Sequence, residues 1–273
     1  MTVLTPLRRV VLPLFSYLNP GDITIRHHYS GTPFRIHSFR HRGYWFYGKK
    51  REAETMRFFA EFIEAGDTVF EIGGHIGYVS VYLSMLVGPH GRLYVLEPGL
   101  NNLPYLERNT RDLTNVTIIA RGAADFDGEL TLYLEDLTGQ NNSFVQDYEV
   151  LRGNARSANK KPVITESRVP VVTLDSLIRG GLPRPSLVKI DVEGFEQQVL
   201  KGMAGALSAD KPGLMIEVTR NPEEVLSLLT KYGYQCFDRS RARIKAAPGM
   251  RDNVFCVHPG VHRDKIERLG LGC

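Results

Sequence analysis

The sequence predicts an α/β fold, a seven-stranded and mainly parallel sheet with an antiparallel last strand and helices on both faces. Three observations carry that prediction. From Asp67 onward, short apolar runs alternate with amphipathic segments. The first run stops at glycine and passes straight into a helical pattern, as a βα unit does. The last two runs are joined by a segment with no room for a crossover helix, which makes the final strand antiparallel.

Taken in order, strands fit at 68–72, 93–97, 116–120, 187–191, 214–218, 234–238 and 253–258. Helices fit after Gly77, Asn101, Thr173, Phe195 and Pro222. Ahead of them, residues 23–48 alternate apolar positions with a dense aromatic group, Tyr44, Trp45, Phe46 and Tyr47, and read as short antiparallel strands. A helix at about 50–65 carries an apolar stripe of Phe58, Phe59, Phe62 and Ile63 and is capped by Gly66. The domain reading is an N-terminal β/α extension at 1–65, a catalytic domain at 66–260 and a tail at 261–273.

Composition sets bounds. The 273 residues are 42% hydrophobic and 23% charged, the balance of a globular protein with one sizeable core. The net charge of +4 permits an acidic partner but does not call for nucleic acid. Of the three cysteines, Cys236 and Cys256 sit in apolar segments and Cys273 is terminal. That is neither a disulfide framework nor a zinc motif, and it fits a cytoplasmic setting. Residues 4–18 are apolar but broken by Pro6, Arg8, Arg9 and Pro13, too interrupted to span a bilayer. Docking on the domain or on a second subunit, as in a homo-oligomer, is one reading of them. A weak membrane-surface contact, with the protein peripheral to the membrane, is the other.

The chemistry concentrates in two motifs. The first is Glu71-Ile72-Gly73-Gly74-His75-Ile76-Gly77-Tyr78, followed about twenty residues later by Glu97 at the end of the second strand. A glycine turn and a second-strand acid suit a nucleoside, the acid accepting from two ribose hydroxyls. A dinucleotide site requires G-x-G-x-x-G and a helix N-terminus free of negative charge. Here the pattern is E-x-G-x-x-x-G, and Glu71 would repel a pyrophosphate while attracting the ammonium and sulfonium of S-adenosylmethionine. The plainer reading is an ordinary βα turn.

The second motif is Lys189-Ile190-Asp191-Val192-Glu193-Gly194-Phe195-Glu196. Alternate strand residues share a face, which groups Lys189, Asp191 and Glu193. Charges in a central apolar strand are costly unless they pair or do chemistry. The next strand again ends in one acid, Glu217, so Glu71, Asp191 and Glu217 come from neighbouring strand tips facing one crevice. The plainer reading makes Lys189 a neutralising partner only.

One stretch, 135–168, interrupts the alternation. It is polar, includes Asn142, and ends in a basic group, Arg152, Arg156, Lys160 and Lys161. It reads as a lid or loop over the ligand edge of the sheet, and its charges as a solvated face or an attractor of acidic sugar or phosphate.

The two motifs, with Glu97-Pro98 and Val172-Thr173-Leu174-Asp175, resemble those of FkbM-type methyltransferases from about Glu52 to about Asp238. The resemblance implies a class I (Rossmann-like) methyltransferase fold, S-adenosylmethionine as cofactor and O-methylation of a hydroxyl on a sugar, glycan or natural product. It implies a cofactor site of Glu71, Gly73, Gly77, Glu97, Asp125 and Asp191, with Asp125 against the adenine amino group. His75 stands where the family usually has asparagine and is a substrate or methionine contact, along with Glu193 and Asn142. Asp191 or Glu217 is then the general base, tuned by Lys189. In the alternative, Asp191 and Glu217 bind Mg²⁺. The rival functions are a non-catalytic binding or scaffold protein of the same fold and an RNA methyltransferase. Against the last stand the lack of an Asn-Pro-Pro-Tyr tetrapeptide and of a strongly basic module.

Overall fold

The computed structural model describes residues 21–50, 52–146 and 163–271. The apolar segment 4–18, the basic group of the insertion and Cys273 lie outside the described residues.

The chain enters through a hairpin of β1 (Asp22–Arg26) and β2 (Pro33–His37), paired antiparallel, with Phe34 and Ile36 turned into the core. The aromatic run expected in a strand forms a short helix instead, α1 (Arg42–Tyr47). Four consecutive aromatics carry no period of two, and the helical turn buries Tyr44 while exposing Tyr47. Helix α2 (Ala53–Phe62) follows and buries its phenylalanine stripe as expected.

The core then alternates β3 (Thr68–Ile72), α3 (Tyr78–Val87), β4 (Arg92–Leu96), α4 (Leu103–Thr110) and β5 (Val116–Ile119). A side excursion follows, made of β6 (Gly122–Ala123), β7 (Gly128–Glu135) and β8 (Ile164–Val172). The chain returns through α5 (Leu174–Arg179), β9 (Leu187–Ile190), α6 (Glu196–Lys201), α7 (Ala204–Ala209), β10 (Gly213–Val218) and α8 (Pro222–Lys231). It closes with β11 (Gln235–Phe237), β12 (Arg243–Ile244), β13 (Asp252–Val257) and α9 (Arg263–Leu269).

The main sheet runs β5-β4-β3-β9-β10-β13-β11-β12. Its five strands from β5 to β10 are parallel, and β13 inserts antiparallel between β10 and β11. All seven expected strands are present, and the antiparallel closure is as read from the short last connection. The two-residue β12 makes the sheet eight-stranded, a difference of one edge bridge too short to leave a periodic signature.

The insertion differs more. Its flanks are strands, β7 and β8, paired antiparallel from Gly128↔Val171 to Glu135↔Ile164. The outer half of β8 is exposed on both faces, so Thr165, Glu166, Ser167 and Arg168 show no apolar alternation and read as loop.

Side chains of one sheet face pack with α2, α3 and α9, and those of the other with α6, α7 and α8. Phe58 stacks on Phe255 of β13 with ring centroids 4.0 Å apart, joining α2 to the sheet. Leu269 and Leu271 bury in the same cluster, and Lys265 Nζ donates to the carbonyl of Phe62. The chain runs outward from β3 to β5, then restarts on the other side at β9. The order therefore reverses between β3 and β9, and in an open α/β sheet that crevice, at the strand carboxyl ends, is the binding site.

Phe58→Ala should lower stability by about 3–5 kcal/mol, the usual loss for truncating a buried aromatic. Urea unfolding measures it, and a change below about 1 kcal/mol would show that α2 is not locked to the sheet through this ring.

Candidate active site

The parallel register places Glu71 of β3, Lys189 of β9 and Met215 of β10 side by side on one face. One step further on are Gly73, Asp191 and Glu217. Lys189 is almost fully buried, its Nζ 3.4 Å from Glu71 Oε1 and 3.2 Å from Asp191 Oδ2, and it donates to the Gly73 carbonyl at 2.9 Å. Burial pulls its pKa down, but the charges of Asp191 and Glu71 outweigh that and hold the ammonium above its ordinary value. Burial raises Glu71, with Lys189 and a 2.5 Å hydrogen bond from Ser80 Oγ opposing. Its Oε1 accepts no well-formed hydrogen bond.

Glu217 behaves differently. The charge of Asp191 beside it, then burial, then a hydrogen bond to Asp191 push its pKa far up. With Lys189 against Asp191, the shared proton belongs on Glu217, which donates to an ionised Asp191.

The second anchor is Glu97, just past β4. Its Oε2 accepts from the His75 backbone N–H at 2.7 Å, and its Oε1 from Gly99 N–H at 2.8 Å and Asn102 Nδ2 at 3.2 Å. Burial dominates and raises its pKa to about 7. A carboxylate offers about four acceptor sites, so one remains.

His75 has φ +47°. Among non-glycine residues, asparagine and histidine are enriched in that left-handed region, which explains how histidine replaces the usual asparagine. Its Nε2 lies 3.3 Å from the Thr138 carbonyl and so carries the proton, leaving Nδ1 to accept from Tyr44 OH at 3.0 Å. Extension, glycine turn and insertion therefore meet at one ring.

A cavity of about 220 Å³ at the β3/β9 crevice is lined by Glu71, Gly73, His75, Glu97, Asn142, Lys189, Asp191, Glu193 and Glu217. Two expected residues are not brought there. Gly77 has φ +86° and packs against α4, where a Cβ would come within 3.0 Å of Leu106, so its glycine serves helix packing. Asp125 is exposed, away from the cavity lining, in the turn after β6. Gly73 does line the cavity, yet its missing Cβ makes way for the Asp191 carbonyl, 1.9 Å from where that atom would be.

Asn142 is engaged within the loop. Its Oδ1 accepts from Glu135 N–H and its Nδ2 donates to Asn101. The sequence reading missed Glu52, Thr55, Asn102, Asn141 and Phe144, which also line the cavity. They stand on the extension, after β4 and in the insertion, outside any motif. Among the described residues, no group of three or more His, Cys, Asp or Glu is placed to hold a metal ion.

Residues 71–236 match the model of the methyltransferase FkbM domain. The chain belongs to the FkbM methyltransferase family. This methyltransferase is 26% identical over 185 residues to the hexuronic acid methyltransferase AglP of Haloferax volcanii, a match covering 66% of this chain and 68% of that one. The crystal structure of methyltransferase FkbM from Methylobacillus flagellatus aligns with TM-score 0.47 and 20% identity. The chain spans 71% of itself in that match but only 44% of the longer neighbour. Aeropyrum pernix fibrillarin, solved with S-adenosyl-L-methionine bound, aligns with TM-score 0.43 and 14% identity over 87% of this chain and 82% of that one. No helix among the described residues is long and apolar enough to cross a membrane.

Lys189→Met should destabilise the fold by about 3–5 kcal/mol, because it leaves buried carboxylates without their cation. The folded-state carboxyl pKa then rises further above its unfolded value. Stability accordingly falls as pH rises through the carboxylate range, and the deficit against wild type is larger at pH 8 than at pH 5. Urea unfolding at the two pH values tests this, and a deficit that does not change with pH would contradict it.

Proposed function

We propose that this methyltransferase moves a methyl group from S-adenosylmethionine to a hydroxyl of a sugar or glycan. The observation that carries the proposal is the convergence of Asp191, Glu217 and Glu97 on one cavity, with Lys189 Nζ 3.2 Å from Asp191 Oδ2.

The residues fit the donor. Glu97 keeps one acceptor site for a ribose hydroxyl, and Glu71 Oε1, 3.4 Å from the Lys189 ammonium, is a buried acceptor without a well-formed hydrogen bond and with capacity for a ligand ammonium. When bound, the donor supplies an electrophilic methyl on a cationic sulfur. The acidic row of the chain favours that cation, and the Gly73 turn sets its approach.

An alcohol is a weak nucleophile at neutral pH. Asp191, kept ionised by Lys189, takes the hydroxyl proton, and Glu217 holds Asp191 in place by its own hydrogen bond. Most of the rate comes from holding the acceptor oxygen in line. The sugar acceptor is supported by the relative from Haloferax volcanii, by the family, and by the aromatic and amide lining from Tyr44, Gln140 and Asn141.

Calorimetric titration with S-adenosylhomocysteine should show micromolar binding that Glu97→Ala weakens sharply, and absence of binding to folded wild type would sink the proposal. Ribose hydroxyls donate more strongly to an ionised acid than to a neutral one. Glu97 ionises near pH 7, so affinity should rise by up to about tenfold from pH 6 to pH 8. That slope should vanish in Glu97→Gln. In a transfer assay with hydroxylated sugars, Asp191→Asn should lose about 10²-fold or more in rate, with a much smaller effect on homocysteine-nucleoside affinity than Glu97→Ala. Full turnover in Asp191→Asn would remove Asp191 as the base.

A further inference from the structure

Two buried thiols stand outside the chemistry of the cavity. Cys236 of β11 and Cys256 of β13 are both buried, and neither lines the cavity. The antiparallel register sets them directly opposite each other, in a row that runs Leu214, Cys256, Cys236 and Ile244 across β10, β13, β11 and β12. Both belong to the apolar cluster that includes Val225 and Leu229 of α8. A free cysteine is a common small core residue, and one alone would carry no meaning. The pair differs in its geometry. Directly opposite residues of antiparallel strands have Cα atoms about 4.5–5.5 Å apart, inside the range of about 4.4–6.8 Å that a disulfide spans. Cys256 Sγ donates to Cys236 Sγ at 3.2 Å. The sulfurs point at each other, and a bond of about 2.0 Å requires them to close by about 1 Å.

In the closed fold the reduced pair is guarded. Burial raises the Cys256 thiol well above its ordinary pKa, and the hydrogen bond and charge of Cys236 add to that, so the Cys256 thiolate is scarce. Cys236 is nearer to a way in. Its strand is followed on the outer side by β12, a two-residue strand at the sheet edge, paired at Cys236↔Ile244 and Phe237↔Arg243. An edge held by so few pairs opens locally at lower cost than the sheet as a whole. That opening bares Cys236 first, because Cys256 is enclosed between β10 and β11.

We propose that Cys236 and Cys256 are a peroxide-responsive redox pair, which oxidation joins into a disulfide between β11 and β13. Cys236 reacts first. Its sulfur takes one oxygen of the peroxide, becomes a sulfenic acid and releases water. The Cys256 thiol then attacks that sulfur, gives up its proton and displaces a second water. The two thiols lose two electrons and two protons in all, and the peroxide is reduced to two waters. A dithiol reductant reverses the step by thiol–disulfide exchange. The bond joins residues 20 positions apart and ties the β11–β12 edge to β13. It is independent of what the cavity binds.

The test treats the reduced whole chain with hydrogen peroxide, blocks the remaining thiols and reads peptide masses without reduction. The expected product is a linked Cys236–Cys256 peptide pair, two hydrogens lighter than the reduced pair and released by dithiothreitol. The oxidised chain should melt about 5–10 °C higher, the gain expected from closing a loop of this length in a chain of this size. In Cys256→Ser the sulfenic acid has no thiol to resolve it, so dimedone should label Cys236. Recovery of both thiols unlinked from the folded wild type after peroxide would overturn the proposal. So would a link that forms only after urea has unfolded the chain, or a link of either cysteine to Cys273 in place of the pair.

Discussion

The buried ammonium of Lys189 is the interaction on which the rest of the site depends. It lies among Glu71, Asp191 and the Gly73 carbonyl. A lone charge at that depth would be several kcal/mol unfavourable, and so would either carboxylate without it. Together they form a cluster of one cation between two acids, and the charge of Asp191 raises the pKa of Glu217 beside it. Charge compensation in the core and the difference between the two acids at the strand tips are thus one electrostatic arrangement.

Close backbone packing supports the same arrangement. Gly73 lets β9 approach so closely that the Asp191 carbonyl occupies the space of a Cβ, and Gly74 does likewise for Val95. The turn is therefore shaped by its neighbours in the sheet, and the ligand meets a surface the protein has already set. His75, in a left-handed conformation, offers its N–H to Glu97 and its ring to Tyr44 and Thr138. The extension and the insertion thereby become walls of the cavity. Both are long-range additions to a βα core, and both bring polar groups to a crevice that β3, β4, β9 and β10 only floor.

Legibility followed the range of the physical signal. All the strands of the main sheet but the two-residue β12 could be read because each is an apolar run of three to six residues bounded by turn residues. Glu71, Asp191 and Glu217 could be read because an acid in such a run has to be paired or put to use. Helix α1 and strand β8 were misread. The first has four aromatics in a row and no period, and the second is exposed on both faces along its outer half. Asp125 and Gly77 illustrate a different limit. The motif fixed their places in the chain, while the side excursion of β6 and the packing of α4 decided what they face.

By itself, then, the sequence determined the α/β class, the antiparallel closure, the acids at the strand tips and the family, because periodicity and charge burial act over a few residues. Only the tertiary structure decided that Lys189 lies between two carboxylates and that Asp191 and Glu217 share a proton. It alone placed Tyr44, Asn102 and Asn141 at the cavity, and it left Gly77 and Asp125 outside. Those outcomes depend on register between strands and on loops docking from 30 or more residues away, and no local pattern in the chain encodes such distances.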